Sequence, residues 1–122
     1  MSNFKGFYLL FIRKDNPSKL KYGKRWEKFF PAGWYVYVGS GMKHMEKRVD
    51  RHFRKNKRKK WHIDFLLEKA CLEFAFLFNC GERGECEVSN LLGERFRVVE
   101  NFGATDCKCR GHLFYISELK CF

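Results

Sequence analysis

The sequence predicts one mixed α/β (α+β) domain: a small, mostly antiparallel central sheet flanked by helices, with an extra hairpin between the first two main strands. Three observations carry that expectation. The stretch 33–41 (GWYVYVGSG) is β-branched and aromatic and stops at glycines, as a strand does. Residues 42–54 follow with Met45, Val49 and Phe53 four apart, the spacing of a helix with one apolar face. The remaining apolar runs are short and separated by turn chemistry. With 122 residues, including 14 Phe, 5 Tyr and 3 Trp, the chain suffices for a single domain, 1–122, with a real core.

The elements follow in order. Phe4 to Ile12 reads as a buried strand, apolar on both faces. Lys14 to Lys19 is a turn around Asp15-Asn16-Pro17-Ser18. Leu20 to Phe30 is the extra hairpin, turning at Gly23; its cations alternate with Tyr22, Trp26, Phe29 and Phe30. Such interleaving suits stacking on bases or, equally, a hairpin with one face on the core. Trp34 to Val38 is the second main strand. The helix after it ends near Asn56 or within Lys57 to Lys60. Trp61 to Leu67 reads as a third strand, which would set His62 and Asp64 on one face opposite Ile63. Leu72 to Phe78 is another strand. Glu82 to Glu94 is a short helix whose buried face is Val88, Leu91 and Leu92. Phe96 to Val99 and His112 to Ile116 are late strands, joined by a polar loop, Asn101 to Gly111.

The net charge is +11, and its distribution is uneven. Residues 1–63 carry 18 Lys/Arg against 4 Asp/Glu; residues 64–122 carry 7 against 10. That asymmetry suits a polyanion partner, nucleic acid above all. The candidate footprint is Lys43, Lys47, Arg51, Arg54, Lys55, Lys57, Arg58, Lys59 and Lys60. No secretory or membrane-spanning segment is visible, so the expected location is cytoplasmic, with no membrane partner and the 6 Cys as reduced thiols.

Chemistry-bearing residues fall into three groups. His44, Arg48 and His52 recur every four residues along one edge of the first helix's buried face. Glu85 lies at the edge of the second helix's buried face, where a carboxylate must find a cation: a salt bridge or a divalent metal. Cys107, Cys109 and His112, with Asp106 beside them, form a Cys-x-Cys-x-x-His set. Structural Zn²⁺, with Cys86 or Cys80 as fourth ligand, is less favoured there than a tight loop of buried thiols; a third reading puts Asp106 or His112 beside a catalytic groove. His62 and Asp64 either border that groove or share a hydrogen bond.

Gly6-Phe7-Tyr8 and Tyr37-Val38-Gly39 form a pair, each placing a tyrosine two residues from a glycine on a strand. In this order, with Arg48, His52 and Glu85 after them, they resemble the GIY-YIG nuclease superfamily. Within it the chain is similar to the small stand-alone Uri-type endonucleases, through Tyr35 to Ser40, Arg51 to Arg54, Trp61 to Leu67, Glu85 to Glu87 and Phe102 to Tyr115. The resemblance implies phosphodiester hydrolysis with one Mg²⁺ or Mn²⁺. Tyr8 would activate water, Tyr37 or His52 would orient it, Arg48 would stabilise the transferring phosphate, and Glu85 would hold the metal. It also implies DNA rather than RNA as substrate, and DNA-repair partners, since some relatives are fused to repair glycosylase domains. The chain departs from the pattern in its long gap between the two signature pieces, filled by the hairpin. The late Asn of many members has three candidates here, Asn90, Asn101 and Asp106. The competing readings are a nucleic-acid-binding module without turnover and a zinc-stabilised scaffold.

Overall fold

A computed structural model describes residues 4–104 and 107–119. Strand β1 (Gly6–Lys14) is followed by the hairpin β2 (Ser18–Tyr22) and β3 (Trp26–Phe30), then β4 (Gly33–Gly41). Helix α1 (Met45–Phe53), helix α2 (His62–Leu67), strand β5 (Cys71–Asn79), helix α3 (Glu85–Gly93), and strands β6 (Arg97–Val99) and β7 (Leu113–Ser117) complete the chain. The five-stranded sheet has the order β5-β1-β4-β7-β6, and each neighbouring pair is antiparallel. The hairpin forms its own two-stranded sheet. The predicted α+β class and the extra hairpin are therefore present.

The strand alternation sorts the core into two layers. Tyr8, Leu10 and Ile12 of β1 and Tyr35 of β4 face α1, α2 and the hairpin, packing on Met45, Val49, Ile63, Leu66, Tyr22 and Phe30. Leu9 and Phe11, with Val36 and Val38, face the other way, towards Val88 and Leu92 of α3. Burying each large apolar side chain contributes roughly 1.5–3 kcal/mol. Tyr22 and Phe30 enclose Phe102 in an aromatic cluster. Hairpin aromatics thus serve mainly the core, although Phe29 remains 62% exposed.

Expectations in three helices are corrected. Trp61 to Leu67 is not a strand: residues 62–67 are helical. The Asp64 carboxylate accepts the backbone N–H of Trp61 (2.9 Å), satisfying an otherwise orphaned helix-start donor. In a helix His62 and Asp64 are about 200° apart, so they do not share a face. On α1 the buried residues are Met45, Val49 and His52; Phe53 turns outward, 46% exposed. His44 sits outside the helix as its N-cap, at φ 54°, and leaves the Arg48–His52 line. On α3, Leu91 is exposed and Ser89 takes the buried position.

Among the described residues, no helix is long and apolar enough to cross a membrane.

Candidate active site and Cys3His cluster

The site forms where β7 begins. Strand β7 pairs with β4 only from Trp34 to Tyr37, and the last bond beyond it runs from Val38 N–H to the His112 carbonyl (2.9 Å). Strand β1, by contrast, pairs with β4 as far as Gly41. The open end of β4 borders a groove of about 750 Å³ lined by Tyr8, Tyr37, Arg48, Trp61, Glu85 and His112, among others. Two strands and all three helices meet there with the loops between them.

Glycines make the close approach possible. Tyr8 lies directly opposite Gly39 in the β1–β4 register. A Cβ on Gly39 would fall 2.2 Å from Tyr8 Cζ, so the tyrosine ring lies across the space that a side chain would fill. Likewise a Cβ on Gly6 would strike the Phe78 carbonyl of β5 at 2.0 Å. Gly39 therefore serves packing around Tyr8, and Gly6 the close approach of β1 to the end of β5.

The Tyr8 hydroxyl is 2.7 Å from His52 Nε2. His52 does not line the groove; it lies beneath Tyr8, 2% exposed. Burial, with Lys57 nearby, lowers its pKa to about 4, so the imidazole is neutral at physiological pH. Burial and the neighbouring Tyr37 raise the Tyr8 pKa far above the usual phenol value, and the Arg48 charge offsets only part of that. Burial raises Tyr37 as well. Both hydroxyls are protonated in the resting protein.

Arg48 donates from Nη1 to the Ser40 carbonyl (3.2 Å) and lies 5.6 Å from the Trp61 ring centroid. That ring is a platform for cations: Arg51 lies over it at 4.5 Å and Lys60 at 5.4 Å. Glu85 opens α3, its side chain only 12% exposed. Its Oε1 is 3.4 Å from Arg83 Nη1, and its Oε2 accepts Gly84 N–H at 3.2 Å. Both contacts are long, and the carboxylate keeps acceptor capacity towards the groove it lines, which fits a hard divalent cation completed by water and phosphate oxygens.

Asp64 has a structural role. Its carboxylate takes a bidentate ion pair from Arg51 (both contacts 3.0 Å) and the backbone N–H groups of Lys60 (2.8 Å) and Trp61 (2.9 Å). Desolvation would raise its pKa, but these bonds outweigh it and hold the carboxyl below its usual range. His62 Nδ1 accepts the Gly103 N–H (2.9 Å), orienting the loop after β6 rather than Asp64.

Of the basic footprint, Lys43, Lys47, Arg54, Lys55, Arg58, Lys59 and Lys60 are exposed. Lys57 instead closes the C-terminus of α1, donating to the carbonyls of Arg51 (3.1 Å) and His52 (2.8 Å). Arg51 holds Asp64, Arg54 pairs with Asp50 and Lys59 with Glu68.

A second cluster borders the same groove. Cys86 of α3 joins Cys107, Cys109 and His112, with donor atoms all within 4.8 Å of one another, a set able to hold a metal ion such as zinc. Sequence spacing left the fourth member open between Cys86 and Cys80; Cys80 is exposed and donates to the Glu82 carbonyl (3.3 Å). Asp106 lies outside the described residues. The reading from sequence gave no role to Ser40, Arg83 or Glu87 in the groove, and treated Trp61 as the start of a strand. The signal for Trp61 was its place directly after the basic run.

No curated protein and no solved structure matches the chain. A family model described as "Domain of unknown function DUF123" matches residues 7–122, which includes β1 from Phe7, the groove and the cysteine loop. The chain belongs to that family, the Domain of unknown function DUF123.

Proposed function

We propose that the chain is a divalent-metal-dependent endonuclease that hydrolyses DNA phosphodiester bonds, with partners in DNA repair or processing. The observation that carries this reading is the convergence on one groove of Tyr8, Tyr37, Arg48 and Glu85, from β1, β4, α1 and α3. The likeness of these residues to the GIY-YIG pattern supports it, as does the cationic border of the groove. Arg48, braced by the Ser40 carbonyl and Trp61, places a fixed guanidinium where a phosphate would lie. Glu85 would hold Mg²⁺ or Mn²⁺, which supplies Lewis-acid polarisation of a phosphoryl oxygen. Tyr8 takes the proton of the attacking water as a phenolate, the form favoured by an N–H from His52 Nε2 and by the Arg48 charge. Tyr37 borders the same space and orients the water.

The test is cleavage of labelled single-stranded, duplex and branched DNA with Mg²⁺, Mn²⁺ or EDTA, comparing the wild type with Glu85→Ala. Metal-dependent cutting that Glu85→Ala abolishes while DNA binding survives is the expected result. Cutting that persists in Glu85→Ala would remove the metal assignment.

One observation favours a second reading. Burial keeps both groove tyrosines protonated. A module that binds DNA through its basic face without turning it over would show binding and no cutting on every substrate.

A further inference from the structure

We propose that Cys86, Cys107, Cys109 and His112 bind one Zn²⁺ in a closed, four-ligand structural site that fastens the loop after β6 to the first turn of α3. The donor atoms already lie within 4.8 Å of one another. Tetrahedral zinc needs thiolate and imidazole donors about 3.5–3.8 Å apart, given Zn–S of about 2.3 Å and Zn–N of about 2.0 Å. A side-chain adjustment of about one ångström closes the set. His112 is the pre-built member. Its backbone is held on both sides, N–H to the Phe102 carbonyl (2.8 Å) and carbonyl to Val38 N–H. Its Nδ1 is 2.6 Å from Ser89 Oγ, while Nε2 is 3.2 Å from Cys107 Sγ.

Ser89 is the independent observation. It is 3% exposed and lies three residues after Cys86 on α3, on the same helical face. By accepting the Nδ1 proton it leaves the Nε2 lone pair aimed at the sulfurs, the outer contact that a metal-ligating histidine requires. One helix thus provides both a ligand and the group that orients another ligand. Three thiolates and an imidazole select a soft or borderline ion, whereas the neighbouring Glu85 carboxylate selects a hard one. The two sites would not compete. With four protein ligands no coordination position remains for substrate, so the zinc acts on structure. It fixes the helical turn that carries Glu85, a consequence that rests on the endonuclease reading; the zinc site itself does not.

The experiment measures metal in the full chain purified without chelator. Elemental analysis should find one zinc per chain. A mercurial reagent should release it stoichiometrically, as read by a chromophoric chelator. Replacement by Co²⁺ should give the intense d–d bands of a tetrahedral site together with thiolate charge transfer. Cys107→Ser and Cys109→Ser should lose the metal; Cys80→Ser and Glu85→Ala should keep it, whatever they do to DNA cleavage. Because the mercurial and cobalt readouts use wild-type protein, variants that fail to fold do not blunt the test. A folded wild type that holds no zinc, holds iron instead, or shows two thiols missing to a disulfide would overturn the proposal.

Discussion

Tyr8 and His52, from β1 and α1, meet through a buried 2.7 Å hydrogen bond, and the other imidazole nitrogen, Nδ1, has no partner among the described residues. An orphaned lone pair costs less than an orphaned N–H, so the favoured tautomer donates from Nε2 to the Tyr8 oxygen. That geometry stabilises a phenolate, although burial opposes one. Under the endonuclease reading, Tyr8→Phe should lower the cleavage rate by roughly 10²–10⁴-fold, the usual worth of a positioned proton acceptor. Because the Tyr8 pKa is raised, the reactive phenolate is scarce throughout the neutral range, and the wild-type rate should climb about tenfold per pH unit without levelling. A pH–rate profile that plateaus near neutrality would assign the base to another group.

The same buried imidazole makes stability depend on pH. The His52 pKa falls from 6.5 in the unfolded chain to about 4 in the native protein. Between those values the unfolded state binds a proton that the native state refuses, so stability is lost as pH falls from 6.5 towards 4 and is unaffected above 6.5. The full loss is on the order of 3 kcal/mol. His62, also lowered by burial, adds to it. Asp64 acts in a lower window: its depressed pKa contributes stability that disappears as pH falls below its ordinary 3.8. Urea midpoints measured from neutral pH down to about 4 should therefore fall in the wild type and fall less in His52→Gln. Equal slopes would show that His52 is protonated in the native state.

Residues with one dominant pattern were legible in the sequence. The main strands, α1 and α3 could be placed from alternation, glycine stops and four-residue spacing, and Tyr8, Tyr37, Arg48 and Glu85 do share a groove. The segment 61–67 reads as a strand because Trp, Ile and Phe favour strands locally, whereas the helix start rests on the Asp64 carboxylate, which accepts Trp61 N–H and is held in place by an ion pair with the distant Arg51. Periodicity likewise predicted Phe53 and Leu91 inside. Their places went to His52 and Ser89, polar groups buried because each has a partner from elsewhere in the chain, Tyr8 and His112. The choice of Cys86 over Cys80 depends on how α3 approaches the last loop, which no local spacing encodes.

The basic run should divide under mutation. Arg58 is exposed, whereas Lys57 is committed to the carbonyls at the end of α1. If the run lies along DNA phosphates, Arg58→Ala should weaken binding for all sequences and reduce the slope of log affinity against log salt by about 1. Lys57→Ala should leave that slope unchanged and instead destabilise the fold by about 1 kcal/mol, the worth of lost carbonyl contacts. Salt titrations of DNA binding and urea unfolding of both variants separate the effects. A reduced slope in Lys57→Ala would place its ammonium on DNA rather than on the helix end.

Gly39 can be tested for its role in seating Tyr8. An added methyl would lie 2.2 Å from Tyr8 Cζ and 2.5 Å from its hydroxyl oxygen, far inside contact distance, in the middle of a paired strand. The ring must swing away or the strands must part. Gly39→Ala should therefore cost about 1–3 kcal/mol of stability. It should also break the Tyr8–His52 bond, so under the endonuclease reading cleavage should fall to the level of Tyr8→Phe, while affinity for DNA, which that reading assigns to the exposed cations, should hold. Gly93→Ala is the control: its methyl would meet Phe114 at an ordinary 3.7 Å, near the end of α3, where alanine favours helix. It should be neutral or slightly stabilising. Full stability and activity in Gly39→Ala would mean that Tyr8 has room to move and that its observed position is not fixed by the opposing glycine.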